Sequence, residues 1–79
     1  MNEWLSKRAD ALADGTTGID RDSLELTPDE IEKLLDLAGL AAHDSGVRTN
    51  APLLCYMLGR ARSGAASLDE LDEIVRSTS

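Results

Sequence analysis

Two segments of this chain carry the same helix-start pattern, and that pattern limits how the backbone can fold. Thr27–Glu30 and Ser67–Glu70 each place a hydroxyl residue three positions before a glutamate. In such a capping box the hydroxyl accepts a hydrogen bond from the glutamate N–H, and the glutamate carboxylate accepts one from the N–H of the hydroxyl residue. The two segments therefore predict helices that begin at about residues 28 and 68.

Apolar residues at spacings of three and four indicate four helices in all. Asn2 can cap the first helix, and Gly15, Gly46 and Gly64 follow the first three helices as terminators. The predicted helices run over about residues 2–14, 28–44, 51–63 and 68–76. We expect an all-α fold, a small four-helix bundle-like domain that spans residues 1–79.

Two further expectations concern how these segments pack. Residues 15–26 have the composition of a loop, in which Ile19 and Leu24 are the apolar residues expected to reach the core. The third helix has no charge in its first two turns, so we expect it to lie centrally and to be covered on both sides.

Composition and charge restrict the possible functions. The chain is 42% apolar and has no Phe, which predicts an aliphatic core. Its net charge of −7 opposes binding to nucleic acid and to anionic membranes, and it fits basic partners or simple solubility. No stretch approaches the roughly 20 apolar residues of a membrane helix, and the N-terminal segment lacks a signal-peptide pattern. We therefore expect a cytoplasmic protein.

Several short motifs resemble a family of small bacterial helical domains of unknown function, found alone or fused C-terminally to molybdopterin-guanine dinucleotide biosynthesis proteins. The matching residues are Trp4–Leu5, Leu34–Ala38, Ala42–His43, Arg48, Ala51–Leu53 and Tyr56–Gly59. The long loop after the first helix and the last helix depart from the pattern. The resemblance implies that the chain assists a larger enzyme of molybdenum cofactor biosynthesis, and it implies no catalytic residue.

Three residues of the second helix are candidates for partner binding. Leu37 and Leu40 fall outside the stripe formed by Ile31, Leu34, Leu35, Ala38, Ala41 and Ala42. They form a contact patch if they are exposed. The alternative is that the first or the last helix covers them. His43 lies beside this patch, and its alternatives are an exposed or capping side chain and a proton-transfer or ligand role.

A small-ligand site is predicted where the third helix begins. Arg48, Thr49 and Asn50 precede or open that helix, whose backbone N–H groups can attract an anion. Arg48 has the guanidinium that suits bidentate phosphate or carboxylate contacts. The alternative is that Arg48 bonds carbonyls of the preceding helix or pairs with an acid.

The remaining reactive side chains do not assemble a catalytic site. One His and one Cys on separate predicted helices fall short of the three or four ligands of a metal site, and no cofactor motif is present. Ser23, in Asp22-Ser23-Leu24, resembles the attachment serine of acyl carrier proteins, although the next helix begins too late. We expect a non-enzymatic accessory or interaction domain that binds a protein partner or forms a homodimer. A carrier protein modified at Ser23 and a small anionic-ligand binder are the alternatives.

Overall fold

A computed structural model describes residues 1–64 and 66–78. Its α-helices are α1 (Glu3–Gly15), α2 (Pro28–Ser45), α3 (Asn50–Ala61) and α4 (Leu68–Ser77), and a short 3-10 helix covers Arg21–Leu24. No strand occurs in these described ranges. The all-α prediction is confirmed. The 3-10 helix is new, because the sequence predicted only a loop there.

The chain divides into two compact units, Met1–Ile31 and Glu32–Ser79. The first contains α1, the 3-10 helix and the beginning of α2. The second contains the rest of α2 together with α3 and α4.

Polar contacts organise the first unit. The Leu5 N–H donates to Asn2 Oδ1 at 2.9 Å, which confirms Asn2 as the cap of α1. Arg21 Nε donates to Asp10 Oδ1 at 2.6 Å and Arg21 Nη1 lies 3.4 Å from Glu25 Oε1, so one guanidinium ties the 3-10 helix to α1. The hydrogen bond to Asp10 raises the pKa of Arg21.

The expectation that Ile19 reaches the core is wrong, because 43% of its surface is exposed. Leu24 is half-buried. The Arg21–Asp10 ion pair supplies an attachment for this segment that does not depend on apolar burial.

Both predicted capping boxes form. At the start of α2, the Glu30 N–H donates to Thr27 Oγ1 at 3.1 Å and the Thr27 N–H donates to Glu30 Oε1 at 2.9 Å. Ser67 and Glu70 make the same reciprocal pair at 3.2 Å for each bond. At the other end of α2, Gly46 has a φ of +71°, which allows the chain to leave the helix.

The core of the second unit is a cluster of three buried leucines, one from each of its helices. They are Leu37 of α2, Leu58 of α3 and Leu71 of α4. Half-buried apolar residues pack around them: Leu34, Leu40, Leu54, Ala66 and Val75. Leu37 is 0% exposed, so it is the residue on which the three helices converge.

An ion-pair network at the edge of this core joins α2 to α4. Lys33 pairs with Asp69, and its Nζ also lies 3.9 Å from Asp72 Oδ2. Arg76 Nε donates to Asp72 Oδ1 at 2.6 Å. The hydrogen bond to Asp69 raises the pKa of Lys33 above its usual 10.5.

The convergence on Leu37 predicts a position-specific loss of stability. Leu37→Ala removes a fully buried side chain and should lower the free energy of unfolding by about 3 kcal/mol. Leu35→Ala is the matched control, because Leu35 is on the same helix and 67% exposed, and it should cost less than about 0.5 kcal/mol. Urea denaturation followed by the helical circular dichroism signal compares them. Equal losses would contradict the assignment of the core.

The raised pKa of Lys33 predicts how the network responds to alkali. The stabilisation is present in full below pH 10.5 and is lost as the pH rises through the raised pKa, because the charged amine is the paired form. Thermal melts of Lys33→Gln should therefore show a lower Tm than wild type near pH 8, with the difference shrinking above pH 10.5. Lys7→Gln is the control, since Lys7 is exposed and lies 4.0 Å from Glu3. A Tm unchanged in Lys33→Gln would contradict the network's role.

Candidate docking groove

An open groove of about 820 Å³ lies on the second unit, where the C-terminal half of α2 meets α3 and the end of α4. It is lined by Leu40, Ala41, Asp44, Ser45, Asn50, Leu53, Leu54, Met57, Val75 and Thr78. Most of these side chains are aliphatic. Among the described residues that line it, Asp44 is the only charged one.

The groove exists because α3 is covered on one side only. Leu58 is buried and Leu54 is half-buried, but Leu53 and Met57 are 61% and 60% exposed. The prediction that α3 is covered on both sides is therefore wrong. Its first two turns carry more apolar side chains than α2 and α4 can cover, and two of the uncovered ones, Leu53 and Met57, line the groove.

Tyr56 lies outside this groove although it is exposed too. The Arg60 guanidinium sits over its ring, 5.7 Å from the centroid. A cation at that distance interacts with the face of an aromatic ring. Tyr56 is therefore a useful reference for an exposed apolar residue of α3 that does not belong to the groove.

The assignment of Leu37 to a partner-binding patch is wrong. Leu37 is fully buried against Leu58 and Leu71. The buried face of α2 is therefore rotated about the helix axis relative to the apolar stripe predicted from the sequence. The same rotation leaves Leu35, a member of that stripe, exposed. Leu40 is half-buried, packs against the core and also lines the groove, so it is the predicted patch residue that keeps a place in the candidate site.

His43 is exposed in the last turn of α2 and does not line the groove. The structure therefore separates His43 from Leu40, with which the sequence grouped it.

The predicted ligand residues lie together in the turn before α3, but few amide groups there are available to an anion. The Asn50 N–H donates to the Val47 carbonyl at 3.0 Å and the Ala51 N–H donates to the Arg48 carbonyl at 3.1 Å. Pro52 has no N–H to offer. Thr49 makes no side-chain cap. Two of the donors that would hold an anion are thus already used within the turn.

Neither of the other two reactive side chains, Ser23 and Cys55, is among the residues that line the groove. Ser23 is in the 3-10 helix, where its hydroxyl donates to the Asp20 carbonyl at 2.6 Å. Cys55 is a half-buried free thiol on α3. Over residues 1–64 and 66–78, no three His, Cys, Asp or Glu side chains are grouped so as to hold a metal ion.

A second cavity, of about 690 Å³, belongs to the first unit. Charged residues dominate its wall, and they include Lys7, Asp10 and Arg21. Arg21 and Asp10 of this wall form the ion pair that joins the 3-10 helix to α1.

The whole length of the chain matches one known protein family. The family model described as "Domain of unknown function (DUF6457)" matches residues 1–79. The chain belongs to this family. No curated protein and no solved structure is significantly similar to it.

The matched region includes both compact units and all four α-helices. Membership agrees with the resemblance to a domain family of unknown function. None of the helices in the described ranges is long and apolar enough to cross a membrane.

Proposed function

We propose that this chain is a non-enzymatic accessory domain that binds a larger protein by accepting one of its apolar helices in the groove. The main support for this proposal is that Leu53 and Met57, one helical turn apart, are exposed in the groove. They lie beside the half-buried Leu54 and Leu40. Contiguous apolar surface of this kind is a feature of interaction sites.

The shape and chemistry of the groove favour a helix as the partner element. Its lining includes residues of three helices, and it is open to solvent. Amphipathic helices bind such grooves through apolar residues spaced by three and four positions. The flexible thioether side chain of Met57 can adjust to the residue placed against it.

We further propose that the partner is an enzyme of molybdenum cofactor biosynthesis. This step is supported by the resemblance of residues 4–59 to domains fused to molybdopterin-guanine dinucleotide biosynthesis proteins. The groove is the surface that we propose holds the domain to that enzyme.

Charged substitutions in the groove should weaken this binding. We expect the double variant Leu53→Glu, Met57→Glu to bind a purified molybdopterin-guanine dinucleotide biosynthesis protein at least about tenfold more weakly than wild type, because a buried unpaired carboxylate costs more than 1.4 kcal/mol. Isothermal titration calorimetry measures the affinity. Both residues are exposed, so the thermal melt of the variant should be close to that of wild type.

Tyr56→Glu is the control for position, since it introduces a carboxylate at a comparably exposed residue of α3 outside the groove, with one added charge against two in the double variant. It should bind as wild type does. Equal affinities for wild type and the double variant would refute the groove as the docking surface. A strictly monomeric wild-type chain that retains no such enzyme, and no other partner in a pull-down, would refute the interaction function itself.

A further inference from the structure

Asp44 occupies an unusual position in the groove. It follows Leu37 by seven residues, which is two helical turns, so it lies on the side of α2 that faces the core. Leu40 and Ala41, one turn before it, line the same groove. Asp44 is nevertheless exposed, because the groove begins where the core ends.

The position of Asp44 is not explained by the stability of α2. Asp44 lies in the last turn of the helix, where the partial negative charge of the free carbonyl groups disfavours an acid. Ion pairs among the described residues engage other acids, which include Glu3, Asp10, Glu25, Asp69 and Asp72. One end of the groove thus combines a carboxylate with the negative end of a helix.

We infer that the groove selects an amphipathic helix that carries a Lys or Arg at the border of its apolar stripe, with Asp44 accepting that cation. This inference rests on the proposed function and specifies the chemistry of the partner helix. The net charge of −7 adds a long-range attraction for a basic segment. Charge pairs at the rim of an interface chiefly set specificity and the rate of encounter.

A pair of synthetic helical peptides can test the cation requirement. Both peptides have the same composition and the same leucine stripe, and they differ only in whether the single Arg borders the stripe or lies on the opposite face. Fluorescence anisotropy at two salt concentrations gives their affinities for the intact chain. Wild type should prefer the bordering Arg by roughly three- to fivefold, and added salt should reduce that preference.

The protein variants separate a local contact from net charge. Asp44→Asn should abolish the preference between the peptides. Asp36→Asn removes the same charge from an exposed residue of α2 outside the groove, and it should retain the preference. Equal affinities of the two peptides for wild type, or the same loss in both Asn variants, would overturn the role of Asp44.

The groove itself is checked in the same assay with Leu53→Glu, Met57→Glu, which should weaken both peptides alike. A different result is that the double variant binds neither peptide while Asp44→Asn keeps the wild-type preference between them. That result would refute the role of Asp44 in selectivity and would support the groove as the docking surface. If neither peptide binds wild type, the selectivity inference fails, and the calorimetry with the biosynthesis protein decides the proposed function separately.

Discussion

The burial of Leu37 is the contact on which the second unit depends. Each of its three helices contributes one buried leucine to the cluster, and the one from α2 has no exposed surface at all. Half-buried apolar residues pack around this cluster, and ion pairs at its periphery join Lys33 of α2 to Asp69 and Asp72 of α4. Because the cluster is small, with one buried leucine from each helix, removing one leucine affects all three helices.

The same small core explains why a groove is present. α2 and α4 cover the side of α3 that carries Leu58, and the described residues include no further helix of this unit to cover Leu53 and Met57. A largely apolar helix that is packed on one side exposes apolar side chains on its other side to water, at a cost proportional to the apolar area. Binding of a partner helix would remove that cost, which is why the groove supports an interaction function better than the polar turn at Arg48 does.

The sequence predicted helix boundaries well and helix orientation poorly, for a physical reason. A capping box is a contact among four consecutive residues, so Thr27–Glu30 and Ser67–Glu70 contain all the information needed. Which side of a helix is buried depends on its neighbours in space. Leu35 and Leu37 are the same residue type two positions apart, and only the positions of α3 and α4 decide that Leu37 is buried. The groove could have been anticipated from one signal, the excess of apolar residues on α3.

The significance of Asp44 for partner binding can be recognised only once the packing of α2 is known. In the sequence it is one of 15 acids, and nothing distinguishes it from Asp36. In the structure the two differ, because only Asp44 lies in the groove, in a helix turn where its charge is locally unfavourable. A groove lined only by apolar residues would accept any apolar helix. A single acid at its end makes the choice of partner depend on charge as well as on fit.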